Sequence, residues 1–287
     1  MLLGIALEAI TGEGLQSISD IHLPSFFSTI ISTVKKFDIQ VLEVPLGAAA
    51  IYPSLLTRET LTEAKSIARD QGIGLSIHLP YTNIDLSSDN EAKRQESIDS
   101  IKSAIELGSI LEPYSYVLHL LPEKQGITED DFRLFAETQL SDAVIDKAMN
   151  SVRQITTVLE PANLCVENLR GNPFTQQAEA ALLAGASLCL DTGHALVQGI
   201  EPVSILSRYA GRIREVHLHD VRRVESPDLG YVREDHHEPG SGILGLDGFM
   251  RALKEHSFEG LLNIEVFSSE KLAPSVAAVK SSLSQVQ

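Results

Sequence analysis

His78, His119, Glu167, Asp191, His217 and Glu265 share one setting. Each closes a short apolar run: Ile77-His78-Leu79-Pro80, Leu118-His119-Leu120, Val166-Glu167-Asn168, Leu190-Asp191-Thr192-Gly193-His194, Val216-His217-Leu218-His219-Asp220 and Ile264-Glu265-Val266. A further polar stretch, Glu234-Asp235-His236-His237-Glu238, follows the fifth of these, and Glu8 follows the first apolar run of the chain while Glu43 lies within the second. Seven of the nine histidines fall in these segments, so the pattern is a property of the set and not of any single imidazole. Carboxylates gathered at one place repel one another and lose solvation. A divalent cation removes that cost, and mixed His/Asp/Glu donors suit zinc or manganese. The chemistry to expect is metal-assisted.

Spacing sorts the candidates. Asp191 and His194 are three apart, so a turn leaving a strand presents both. Asp235 and His237 are two apart and in extended chain point the same way, which sends His236 to the opposite side. His219 has the parity of His217 one step further out and is expected to touch substrate or a ligand. Asp220 is expected to orient a ligand imidazole. Glu8 and Glu43 are expected at the mouth, either as substrate contacts or merely hydrated. Cys165 and Cys189 each lie two residues before a candidate ligand, which places them one layer deeper as packed thiols. Glu215 shares the parity of His217 and has no evident partner. Pro239-Gly240-Ser241-Gly242 reads as a turn, or as backbone that an anionic group could approach.

The elements that must position these groups follow a repeat. Eight apolar runs, at 3–7, 41–44, 74–79, 115–120, 164–167, 187–190, 213–218 and 261–266, alternate with segments of helical period such as Phe27, Ile30, Ile31, Val34 and Phe37. Ser88-Asp89-Asn90-Glu91 reads as a capping box ahead of one of them. Near-continuous apolar strands covered on both sides are the mark of a parallel sheet. Eight strand–helix units predict an α/β fold, a single (β/α)8 TIM barrel over residues 1–287, with the chemistry at the carboxyl ends of the strands. The long stretch 221–245 is the candidate lid. No dinucleotide fingerprint, nucleophile elbow or Walker lysine loop competes.

Charge narrows the partners. With 39 acids, 23 bases and a formal charge of −16, the chain has no basic run for a duplex or an anionic membrane. No segment approaches 18 apolar residues, the first basic residue is Lys35, and two cysteines make no disulfide framework. A cytoplasmic enzyme acting on a small molecule, not on duplex DNA, is the expectation.

In their order and spacing these motifs resemble the xylose-isomerase-like barrel superfamily, which includes endonuclease-IV-type apurinic endonucleases and sugar isomerases and epimerases. The resemblance implies two ligand sets. In isomerase-like members one ion, manganese or magnesium, would sit on Glu167, Asp191, His217 and Glu265. In endonuclease-like members up to three zinc ions would add His78 and His119 for one ion and His194, Asp235 and His237 for another. All nine positions carry the required residue type. The filled set makes phosphoester hydrolysis of a small molecule by a metal-activated water the first expectation, with Glu167 bridging two ions and Arg222 meeting a phosphate. The alternative is isomerisation or epimerisation of a sugar or sugar phosphate, with Glu167 and Glu265 exchanging the proton.

Overall fold

The computed structural model describes residues 1–11, 23–47, 56–122, 139–226 and 230–286. Strands β1 (Leu2–Ala6), β2 (Val41–Pro45), β3 (Gly74–His78), β4 (Tyr116–Leu118), β5 (Leu164–Glu167), β6 (Ser187–Asp191) and β7 (Ile213–Leu218) are followed by an antiparallel pair, β8 (Asp220–Ser226) and β9 (Gly230–His237), and by β10 (Leu261–Ile264). The parallel strands close in the order β1-β10-β7-β6-β5-β4-β3-β2. The eight runs read from the sequence are the eight barrel strands. Among the described residues no helix is long and apolar enough to cross a membrane.

Strand parity divides the interior. Outward residues such as Leu42, Ile77, Val166, Leu190, Val216 and Ile264 are fully buried against the helices in one large apolar core. Facing them from the helices are Phe27, Ile30, Ile31 and Val34, the stripe expected from the 3.6-residue period. Val117, Cys165 and Cys189 form a separate buried cluster at the other parity, inside the barrel. Both thiols thus pack one layer below the polar strand ends, and burial pushes both well above the ordinary thiol range.

Two details differ from the sequence reading. The helix Glu91–Gly108 is capped by Asn90, whose side chain accepts from the amides of Ala92 and Lys93, and not by Ser88. The segment after β7 is not a plain loop: β8 and β9 form a hairpin pairing Val224 with Val232 and Glu225 with Tyr231. Arg223 lies 4.2 Å over the Tyr231 ring, a cross-strand contact that covers the exposed aromatic face.

Candidate metal centre

Four strand ends meet at one point. Glu167, Asp191 and His217 are inward residues of β5, β6 and β7, and Glu265 follows β10 directly. Each offers a ligand atom, and these atoms lie within 4.8 Å of one another. His217 Nδ1 is 3.2 Å from Glu265 Oε2, 3.5 Å from Glu167 Oε1 and 3.9 Å from Asp191 Oδ2. His217 Nδ1 and Glu265 Oε2 are both buried and neither makes a hydrogen bond. Buried polar atoms of native proteins are otherwise almost always paired. Three carboxylates and one imidazole nitrogen at this spacing, two of the atoms unpaired, fit a divalent cation.

The surrounding groups hold these four in place. Asp191 Oδ1 accepts from the backbone amide of His194 at 2.6 Å, and Oδ2 lies 2.9 Å from His219 Nε2. His219 Nδ1 accepts the amide of His236 at 2.8 Å. The His219 proton therefore sits on Nε2, donated to Asp191, and neither ring nitrogen is left to ligate. Gly193 makes room for that ring: a Cβ there would stand 2.0 Å from His219 Cε1. Asn168 clamps the backbone of Asp191 from both sides, donating to its carbonyl and accepting from its amide at 2.8 Å each. Asn168 was visible in the sequence as part of Val-Glu-Asn, but nothing there marked its role.

Glu167 is the most heavily flanked. His119 Nε2 is 3.0 Å and His78 Nε2 is 3.4 Å from its Oε2, and His194 Nδ1 is 3.3 Å from Oε1. Burial alone raises this carboxyl, but the charges of His217 and His119 and the hydrogen bonds to His119 and His194 outweigh it and hold the group well below the usual range. Burial lowers His78, yet the hydrogen bond and charge of Glu167 lift it to about 9. The carboxylates thus demand positive charge at this point, from imidazolium or from a bound cation.

Below the centre lies a second pair of acids. Glu43, expected at the mouth, is instead buried inside the barrel, accepting from Asn263 Nδ2 at 3.0 Å and lying 3.3 Å from His217 Nε2. Glu215 finds its partner in Ser115 Oγ, which donates at 2.5 Å. Burial and the neighbouring Glu43 push the Glu215 carboxyl well above its usual range. At the mouth, burial is also the main cause that lifts Glu8 to about 7, with Glu43 and Glu265 adding to it.

The remaining candidates divide. His78, His119 and His194 reach the cluster. His236 and His237 exchange the expected orientations. The His236 ring stacks between His219 (centroids 4.1 Å) and Phe267 (3.8 Å), with Nε2 4.0 Å from Glu265. His237 lies instead beside Glu234 and Glu238. The cause is a bulge: Asp220 pairs with His237 and Arg222 with Glu234, so Asp235 and His236 together oppose Val221, and His236 takes φ +55°. Such bulges bend a strand and re-aim its side chains. Asp235 is committed to His236 Nδ1 (3.0 Å) and Arg170 (2.9 Å). The set His194, Asp235 and His237 is therefore not assembled. Asp220 orients no imidazole; its carboxylate accepts the amide of Val221 and three amides of the neighbouring turn, those of Gly240, Gly242 and Leu244. Two of them, Gly240 and Gly242, are the amides that an anion would have used. Arg222 is paired with Glu238 at 3.3 Å and is 43% exposed.

Comparison with known proteins concerns the chain and its fold. The chain is 33% identical over 95 residues to an inosose dehydratase of Clostridium beijerinckii, a match spanning 30% of this chain and 32% of that relative. A similar protein of the same name from Bacillus cereus is 32% identical over 96 residues, again about a third of its length. Among solved structures, an L-ribulose 3-epimerase superposes with a TM-score of 0.74 at 16% identity, covering 99% of this chain and 95% of that one. A D-tagatose 3-epimerase-like protein gives 0.70 at 18%, covering 100% and 98%. At these identities the superpositions establish the fold. Residues 31–285 match the family described as xylose isomerase-like TIM barrel, and the chain belongs to that family.

Proposed function

We propose that this protein is a divalent-metal-dependent enzyme that moves a proton at a carbon beside the carbonyl of a small sugar or cyclic polyol ketone, as an isomerase, epimerase or dehydratase. The observation that carries this reading is the convergence of Glu167, Asp191, His217 and Glu265 on one point, with the carboxylates at the ends of β5 and β10 within 4.8 Å of each other. A cation held there supplies Lewis acidity for a carbonyl and its neighbouring hydroxyl. Glu167 and Glu265 then exchange the proton with the carbon, one removing it and the other returning it. For a dehydration, one of them also protonates the departing hydroxyl. Glu167 is kept ionised by His217, His119 and His194, so it carries no proton of its own before it takes one from the carbon. The names of the sequence relatives and of the structural neighbours support sugar chemistry over phosphoester hydrolysis, and the dispersal of Asp235 and His237 removes part of the three-ion set on which hydrolysis rested.

The test uses protein loaded with Mn2+ and, in parallel, treated with EDTA. Ketohexoses and an inosose are incubated in D2O and followed by NMR. Metal-dependent deuterium incorporation beside the carbonyl, lost in Glu167→Gln, is the expected result. Metal-dependent cleavage of bis(p-nitrophenyl) phosphate with no exchange into any sugar would overturn the proposal.

A further inference from the structure

The nitrogen of His217 that faces the other three ligands is Nδ1. An imidazole ligates through a lone pair, so its single proton must then sit on Nε2. That N–H is fully buried and needs an acceptor. The nearest is Glu43 Oε2 at 3.3 Å; Glu215 Oε1 lies further off at 3.8 Å. Glu43 belongs to β2, which is separated from β7 by β1 and β10 in the barrel order, so its side chain crosses the bore to reach the ring. Its other oxygen is fixed by Asn263, and Asn263 is the residue paired with His217 in the β7–β10 register. Ser115 in turn holds Glu215 beside the pair. The acceptor of the ligand's proton is thus anchored to the strand next to the ligand. A buried carboxylate in this place is costly unless it serves a fixed donor.

We propose that Glu43 is a positioning residue for the metal: it takes the Nε2–H of His217, fixes the tautomer and tilt that present Nδ1, and is itself held by Asn263. The inference rests on the metal-dependent reading of the centre. Partners of this kind typically contribute about 10- to 100-fold in metal affinity.

The experiment is titration calorimetry of the metal-free chain with Mn2+ alone. The unmodified protein is expected to take up one ion, and Glu43→Gln to bind it about 10- to 100-fold more weakly, with Glu43→Ala at least as weak. On a His217→Ala background, where the three carboxylates remain and no Nε2–H is left, Glu43→Gln should change the residual affinity by less than about threefold. A purely structural Glu43 would instead lower the metal-free melting temperature and leave the two-residue coupling at zero, which would overturn the proposal. So would Glu43→Gln binding Mn2+ as tightly as the unmodified chain. A readout free of any variant is the long-range 1H–15N spectrum of the Zn2+-loaded protein, which must show His217 protonated at Nε2; protonation at Nδ1 refutes the assignment. Failure of the unmodified chain to bind any Mn2+ would instead sink the metal reading itself.

Discussion

Replacing Asp220 by Asn changes one atom and should loosen a whole turn. The carboxylate is completely buried. Its Oδ1 accepts the amides of Val221 (2.7 Å) and Leu244 (2.8 Å), and its Oδ2 accepts those of Gly240 (2.9 Å) and Gly242 (2.8 Å). An Asn side chain keeps one acceptor oxygen and turns the other corner into a donor. In either orientation two bonds are kept, two are lost, and an NH2 group faces two backbone N–H groups. A hydrogen bond to a charged acceptor contributes roughly 1.5–3 kcal/mol, so two lost bonds cost about 3–6 kcal/mol before any repulsion is counted. Against a domain stability of about 5–15 kcal/mol this is a large share. The turn has no slack with which to adapt, since a Cβ on Gly242 would lie 2.0 Å from the carbonyl oxygen of Val221. The melting temperature should fall by on the order of 10 °C, and amide exchange in 240–244 should accelerate more than exchange in the barrel strands. Calorimetry and hydrogen-exchange mass spectrometry measure both. A loss under about 1 kcal/mol, with protection at 240–244 unchanged, would refute the claim that this carboxylate staples the turn.

Three further outcomes are expected. The Glu8 carboxyl is raised by burial from 4.5 to about 7, so the folded state binds a proton more tightly than the unfolded chain does. Stability of the metal-free protein should therefore fall as pH rises between those values, and Glu8→Gln should flatten that slope; chemical denaturation at pH 5, 6 and 7.5 decides it. Exchange of His236 and His237 about the bulge predicts that His237→Ala leaves Mn2+ affinity within about threefold, while His236→Ala, which removes the ring stacked on His219, weakens it further. The opposite order in calorimetry would contradict the placement. Cys165 and Cys189 should resist a thiol reagent in the native protein and react only on unfolding, because both are fully buried and held protonated. Rapid native labelling would show the barrel interior to be open.

The architecture was legible because it rests on two periods that side chains cannot hide. Runs such as Leu-Cys-Val-Glu and Ser-Leu-Cys-Leu-Asp put apolar residues on the helix-facing side and small or polar ones in the bore, and a strand covered by helices needs that composition. The four-residue centre was legible for the same reason: Glu167, Asp191, His217 and Glu265 all continue their strands, so their direction follows from parity. What lay beyond parity was misread. Glu43 has the correct inward direction, but its depth depends on how the strands tilt in the closed barrel, and no local pattern reports that. Asp220 was expected to orient a ligand imidazole, as carboxylates behind a metal ligand do, whereas its four partners come from the chain at 221 and some twenty residues further on. Such pairing exists only after the hairpin has formed.

The exchange of His236 and His237 shows where the parity argument breaks. Counting by two assumes an unbroken extended chain through Asp235 and His237. The pairs Asp220–His237 and Arg222–Glu234 leave one residue on β8 opposite two on β9, and the surplus is taken up by a left-handed turn of backbone at His236. That conformation is unfavourable for a residue with a side chain, so something must compensate for it. The compensation is visible: the His236 amide donates to His219, its carbonyl accepts from Lys271 at 3.0 Å, and its ring lies between His219 and Phe267. The same contacts fix His219, whose Nε2 proton goes to Asp191. Strain at one backbone position is thereby tied, through a single imidazole, to the orientation of a proposed metal ligand. A residue chosen only to keep β9 regular would satisfy the strand but would remove the amide and the ring that hold His219 against Asp191. The sequence Asp-His-His therefore makes sense as a bulge that delivers the first imidazole, not as an extended pair of ligands flanking a spare one.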